Sequence, residues 1–258
     1  MQADSAGIPA ASVWESLRAR RHPPWPLLTV PAGGLRQRPA AGRQAGWPGL
    51  CLVCRGPVRP GYTRCFQCEL HAQSAPGLLA DTVAAAAYAV KGGPLARDLW
   101  LYKSGRDGNG SAAARVLTLL LSFLHDHGPG IWRAAGMGRP SAVCVVPTGR
   151  GRPGPHPLQA LTAPYLALPW LSLRPRPGGD PWARALDPGR CQATSVPAGA
   201  AVLLLDDTWV SGASAQSAAV ALKQAGAAAV AVVVAGRHVE TVPAGRHGGP
   251  ACPPVRGQ

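Results

Sequence analysis

The stretch that most constrains this chain runs from Val202 to Ser214: Val-Leu-Leu-Leu-Asp-Asp-Thr-Trp-Val-Ser-Gly-Ala-Ser. Four aliphatic residues in succession describe a strand covered on both faces, as strands of a parallel sheet are. Two carboxylates follow, at the point where such a strand is expected to leave the core. Small and hydroxyl residues come next, and Gln216 to Gly226 reads as an Ala-rich helix stopped by glycine. Strand, acidic pair, small-residue turn and helix, in that order, place a ligand at the carboxyl end of a sheet strand. The predicted fold class is α/β, with a doubly wound parallel sheet.

The residue types in the turn have a chemical reason. A phosphate seated on a helix N-terminus takes backbone N–H groups and a favourable dipole, so bulky side chains must stay clear of it. Ser211, Gly212, Ala213 and Ser214 leave that room, the two hydroxyls can donate as well, and Thr208 opens the segment. Asp206 and Asp207 would repel a phosphate beside them but suit ribose hydroxyls or the waters around Mg²⁺. Together these residues describe a pocket for a ribose 5-phosphate. The segment resembles the thirteen-residue signature of the type I phosphoribosyltransferases: four apolar residues, two acids, then seven mostly small residues. In purine-salvage members of that superfamily the place of Val210 is held by an aspartate that touches the purine. Valine offers no base there, which argues against purine salvage. Trp209 is expected to pack against the sheet rather than stack on substrate.

A second strong pattern lies upstream. Cys51-Leu-Val-Cys54 and Cys65-Phe-Gln-Cys68 are separated by ten residues. Two such pairs let four thiolates converge tetrahedrally on Zn²⁺, each pair from one tight knuckle, with Gly56, Pro57, Pro60 and Gly61 fitting a short hairpin between them. A closed four-thiolate site is structural, and it lets a module too small for its own core fold through metal binding. Of the other cysteines, Cys144 falls in an apolar strand, Cys191 in a loop and Cys252 in the tail.

The chain has 258 residues, enough for one large domain and a small module. Its formal charge is +14, from 26 basic and 12 acidic residues, with lysine only at Lys91, Lys103 and Lys223. That surplus suits phosphate-rich partners and equally a solvated basic surface. No run reaches the length of a membrane span, and Arg18, Arg20 and Arg21 are followed by His-Pro-Pro-Trp-Pro rather than an apolar signal core, so a cytoplasmic protein is expected. Residues 1–47 read as a flexible basic lead in which a short amphipathic helix fits Ala11 to Arg20. A zinc knuckle is assigned to 48–76, the main domain to 77–240 and a flexible tail to 241–258.

Within the main domain, Thr82 to Val90 reads as a strand carrying Tyr88, Gly92-Gly93-Pro94 as a turn, and Leu95 to Tyr102 as a short helix. Lys103-Ser-Gly105-Arg106 follows as a basic loop. Ala112 to His125 is an amphipathic helix, Ala142 to Val146 a core strand, Leu168 to Leu173 a marginal strand, and Ala227 to Ala235 the last strand. A four-cysteine knuckle, a tyrosine-bearing strand, a helix leading into a Lys-x-Gly-Arg loop, and then the ribose-phosphate segment resemble, in that order, the ComF family over roughly residues 48 to 240. These are competence-associated, phosphoribosyltransferase-like bacterial proteins.

The resemblance implies a type I phosphoribosyltransferase-like sheet preceded by a zinc knuckle. It also implies a pyrophosphate-binding loop after the second core strand, here Thr148, Gly149, Arg150 and Arg152, where glycines admit close backbone approach and arginines match phosphate oxygens bidentately. Family members carry an Arg-Gly-Phe-Asn-Gln run just beyond; this chain has Arg152-Pro153-Gly154-Pro155-His156, with Gln159 further on. Arg174 to Pro197, rich in Arg, Pro and Gly, is expected to be irregular and to occupy the place of a mobile closing loop, with Arg184 and Arg190 as candidates to reach pyrophosphate. Two functional expectations follow. One is binding of phosphoribosyl pyrophosphate or ribose 5-phosphate with substrate-bound Mg²⁺ and structural Zn²⁺, with transfer of the phosphoribosyl group and release of pyrophosphate; no acceptor pocket is legible. The other is a non-catalytic module that contacts single-stranded DNA and DNA-uptake or recombination proteins.

Overall fold

The aliphatic run at 202–205 becomes an inner strand of a four-stranded parallel sheet. The computed structural model describes residues 50–104, 109–148, 155–177 and 184–240. In chain order its elements are α1 (Phe66–Ser74), β1 (Thr82–Val90), α2 (Pro94–Leu101), α3 (Asn109–Ala134), β2 (Ala142–Val145), α4 (Pro157–Thr162) with a 3₁₀ turn at Ala163–Tyr165, β3 (Ser172–Pro175), β4 (Cys191–Thr194), β5 (Ala201–Trp209), α5 (Ala213–Gln224) and β6 (Ala229–Val239). The parallel sheet has the order β1-β6-β5-β2, and β3 and β4 form a separate antiparallel hairpin.

Side-chain alternation along the strands builds two cores, one on each face. Leu203, Leu205, Ala231, Val233, Val143 and Val145 meet Leu95 and Leu99 of α2 and Val116, Leu120 and Phe123 of α3. Val202, Leu204, Val230, Val232 and Cys144 meet Ala215, Ala218, Ala219 and Leu222 of α5, together with the cysteine module. Leu203, Leu204 and Leu205 are each almost wholly buried, which stabilises the fold by roughly 2 kcal/mol per side chain. All four strands run the same way, so the chain leaves β1, β2, β5 and β6 at one carboxyl edge.

Several boundaries differ from the sequence expectations. β5 does not leave the core at the acids. Its pairing continues through Asp206↔Val234, Thr208↔Gly236 and Trp209↔Arg237, because β6 extends to Val239 and keeps supplying partners. Helix α5 starts at Ala213 instead of Gln216, directly after Gly212. Helix α3 runs past His125, through Gly128 and Pro129, to Ala134. Pro129 removes one intrahelical hydrogen bond, but Ile131 is fully buried and Trp132 packs on the same core, so burial outweighs the breaker.

The segment expected to be irregular, Arg174 to Pro197, holds the end of β3 and all of β4, and Cys191 lies buried in β4 rather than in a loop. The strand expected at Leu168 to Leu173 is displaced: Trp170 makes a single bridge to Val143, and the ladder proper starts at Ser172. No helix among the described residues is long and apolar enough to cross a membrane. The basic lead (1–47), the tail (241–258, with Cys252) and Gly105, Arg106, Gly149, Arg150 and Arg152 lie outside the described residues.

Candidate functional site

A cavity of about 690 Å³ opens at the carboxyl edge of the sheet. Its floor and one wall are Asp206, Asp207 and Thr208 of β5 and the turn Val210, Ser211, Gly212, Ala213 and Ser214. Thr148, from the exit of β2, and His156, at the start of α4, complete that side. Ala96, Leu99, Trp100 and Lys103 line it from α2 and the residues after it. The acids and the small-residue turn predicted from sequence therefore share one cleft with Thr148; the other three residues of the expected pyrophosphate loop are not described.

The two acids behave differently. Asp207 is buried, which opposes ionisation, but Lys103 makes an ion pair with its Oδ2 and Tyr102 donates to the same oxygen at 2.6 Å. Those partners, with His156 nearby, win and hold the Asp207 carboxyl below the usual range. Burial, reinforced by the charge of Asp207, pushes Asp206 up to about 8, even though its Oδ1 accepts the Asp207 N–H at 2.8 Å. Burial thus favours the neutral form of Asp206, while Lys103 and Tyr102 favour the carboxylate form of Asp207. Lys103 also lies 5.5 Å from the centroid of the Tyr102 ring.

The turn is shaped by one glycine. Gly212 caps α5 with φ of 83°, and a Cβ there would overlap the indole of Trp209, whose ring lies buried beneath it. Both the backbone conformation and the close ring approach demand glycine. The first turn of α5 consequently opens onto the cavity with small residues only. Ser211 Oγ accepts the Ala213 N–H at 3.3 Å, and Ser214 Oγ accepts from Arg190 Nη1 at 3.3 Å. Arg190 thus stands beside the first turn of α5 and Arg184 is exposed; neither lines the cavity. Val210 projects half-exposed into the mouth.

Sequence reasoning missed Tyr102, His156 and the apolar wall of Ala96, Leu99 and Trp100. His156 had a local signal: it precedes a proline at the start of a helix, and its Nδ1 accepts the Leu158 N–H at 3.1 Å as a helix cap. The pairing of Tyr102 with Asp207 has no such signal, because the two residues meet only through the packing of α2 on the sheet.

At the other site, the Sγ atoms of Cys51, Cys54, Cys65 and Cys68 all lie within 4.8 Å of one another, and the four residues are buried. Cys54 and Cys65 are 3.7 Å apart, close to the ~3.8 Å between sulfurs that a tetrahedral ion with bonds of about 2.3 Å requires. The first pair sits on a knuckle in which Cys51 N–H donates to Gly56 O at 2.7 Å and Arg55 takes a left-handed φ of 56°. The second pair instead opens α1, with Cys65 as its cap and Cys68 in its first turn. These residues fit a metal ion, and all-thiolate chemistry suits Zn²⁺. Cys144 and Cys191 are separate buried thiols; burial pushes Cys144 well above and Cys191 up to about 11.

Fold and sites define the class: an α/β protein with an open cavity at the carboxyl edge of a parallel sheet and a four-cysteine cluster able to hold a metal. No protein-family model, curated protein or solved structure matches the chain.

Proposed function

We propose that this chain is a ComF-like, type I phosphoribosyltransferase-fold protein that binds phosphoribosyl pyrophosphate, or a related ribose 5-phosphate, with Mg²⁺. The observation that carries this reading is the shared cleft. An acid pair, with Asp207 buried and Asp206 partly so, and the open first turn of a helix face one cavity, which suits a ribose diol at the acids and a phosphate at the turn. In this reading the 5-phosphate takes the amides and hydroxyls of Ser211, Gly212, Ala213 and Ser214, with Thr208 and Arg190 beside it. Asp206 and Asp207 take the ribose hydroxyls and the substrate's Mg²⁺. Thr148 lies on the pyrophosphate side, where Gly149, Arg150 and Arg152 are proposed to join it.

Transfer would displace Mg²⁺-pyrophosphate from the anomeric carbon through an oxocarbenium-like transition state. The work of the protein is then to hold diol, phosphate and leaving group in place and to keep negative charge near the developing cation. The Lys103–Asp207 ion pair supports this role: Lys103 favours the ionised Asp207 carboxylate, which with Asp206 would hold Mg²⁺, and that ion would neutralise charge on the leaving phosphates. The Ala96–Leu99–Trp100 wall, with the apolar Val210 at the mouth, provides a surface for a flat acceptor ring. Zn²⁺ in the four-cysteine centre is assigned a structural role.

Calorimetric titration of Mg²⁺ and phosphoribosyl pyrophosphate into the wild type and into Asp206→Asn/Asp207→Asn tests the proposal. Saturable micromolar binding abolished in the double variant is expected; absence of heat with folded, metal-loaded wild type would sink it. The charge of +14 favours a second reading, in which the same protein contacts single-stranded DNA without turnover. That alternative requires DNA affinity that falls steeply with salt and is unaffected by the two aspartates.

A further inference from the structure

Three residues stand in one row across three strands: Tyr88 of β1 pairs with Arg237 of β6, and Arg237 pairs with Trp209 of β5. The Tyr88 hydroxyl donates to the Arg55 carbonyl, in the first cysteine knuckle, at 2.7 Å. Arg237 is more than nine-tenths buried. Its guanidinium lies against Gly56 of the same knuckle, where a Cβ would come within 3.2 Å of Cζ and closer still to Nη2. At its other end, Nη1 donates to the carbonyls of Trp209 and Val210, both at 3.0 Å, and to that of His238 at 2.6 Å.

The two carbonyls of Trp209 and Val210 belong to the small-residue turn. All peptide bonds of the described residues are trans, so a carbonyl held on one side directs the N–H of the following residue to the other. Pinning the Trp209 and Val210 carbonyls to Arg237 therefore turns the N–H groups of Val210 and Ser211 away from the guanidinium, and both residues line the cavity. A cationic donor on a carbonyl also polarises the peptide behind it and strengthens its N–H as a donor. A four-thiolate Zn²⁺ centre would carry two net negative charges, and Arg237 is a buried cation whose guanidinium lies against the first cysteine knuckle.

We propose that Arg237 is a positioning residue that fastens the anion-binding turn to the four-cysteine centre, so that metal occupancy and ribose-phosphate binding are thermodynamically linked. The proposal rests on the ribose-phosphate reading for its ligand but not for its mechanical half. With the metal in place, Arg237 is held between Gly56 and the turn. With the metal lost, the knuckle no longer confines the guanidinium and the turn loses its fixed amides. Linkage is reciprocal, so an anion on the turn must also retain the metal.

The test uses the full, zinc-loaded chain with two readouts. The first is hydrogen exchange of the 210–214 amides without ligand, in wild type, Arg237→Met and Arg237→Lys. Exchange about tenfold faster in Arg237→Met, with one zinc per chain retained, is expected; wild-type exchange in that variant overturns the proposal, whatever the ligand proves to be. The second is the rate of zinc release to a chromogenic chelator with and without saturating ribose 5-phosphate. Slowing of about tenfold in wild type and none in Arg237→Met is expected, while equal slowing in both overturns it. If wild type binds no ribose 5-phosphate, the proposed ligand fails and the exchange readout alone decides the role of Arg237. Should Arg237→Met not fold, Arg237→Lys decides: it keeps the charge but cannot span the three carbonyls, so intermediate exchange is expected and wild-type exchange overturns the proposal.

Discussion

The four-cysteine centre and the cleft are both polar sites in apolar surroundings, and they are finished to different degrees. The cysteine centre is closed: four buried sulfurs face one another within bonding reach of a common ion, and two short segments supply all of them. The cleft is open. Its two acids differ, with the Asp207 carboxylate favoured by Lys103 and Asp206 pushed up to about 8, and its residues come from the ends of β1, β5 and β6, the segment after β2, the start of α4, α2 and the residues after it, and the first turn of α5. A closed site states its partner in its own geometry. An open one gathers charge and donors from several elements around a space that a ligand would fill.

The comparison breaks most visibly at the metal. Cys65→Ser should reduce the metal content of the purified protein from one ion per chain to none and unfold the 50–74 region, read by elemental analysis and by loss of exchange protection there. An unchanged metal content would mean that the cluster is not a ligand set. Next in size is the turn. Gly212→Val forces a side chain into the Trp209 ring at a positive φ and should cost more than about 3 kcal/mol of stability by urea denaturation; a loss under 1 kcal/mol would show that the indole can move aside. Asp207→Asn removes the acceptor shared by Lys103 and Tyr102 and should weaken Mg²⁺-phosphoribosyl pyrophosphate binding about a hundredfold in calorimetry, equivalent to roughly 3 kcal/mol.

A smaller effect sharpens the contrast through pH. The fold raises the pKa of Asp206, so it favours the protonated acid: that stabilisation is complete below the ordinary carboxyl value and is lost as pH rises through about 8. Asp206→Asn mimics the protonated form. Its melting temperature should match wild type near pH 4 and exceed it by about 5 °C at pH 9, whereas ligand affinity of the wild type should climb with pH up to about 8 as the second carboxylate becomes available. A melting difference that is constant with pH would contradict the assignment. Smallest of all, Val210→Asp lies on an exposed side chain and should change stability by less than about 0.5 kcal/mol. Its effect should appear in acceptor preference, measured as pyrophosphate release across a panel of nucleobases.

Local pattern carried much of this molecule. The aliphatic run, the acid pair and the Cys-x-x-Cys spacings are adjacent in sequence, and the strand, the cleft floor and the cysteine cluster follow them closely. What pattern could not carry was contact between distant segments. Asp207 with Tyr102 and Lys103, Arg190 with Ser214, and Arg237 against Gly56 depend on how α2, the hairpin and β6 pack. Composition misled in one segment: Arg174 to Pro197 has the residues of a loop, yet cross-strand pairing makes Ser172–Pro175 and Cys191–Thr194 a hairpin. Pro129 likewise reads as a helix end until the burial of Ile131 is seen.

The strand order has a consequence for how the chain is made. β6 is the last of the described strands to leave the ribosome, yet it is an inner strand, joined to β1 on one side and β5 on the other. Until its eleven residues emerge, the nascent chain holds β1 apart from the β5–β2 pair and presents two unpaired apolar edges. Such edges are templates for pairing with other chains. The sheet therefore closes late, by insertion rather than by growth. A chain stopped before Ala229 should retain its cysteine module and still fail to assemble the cleft.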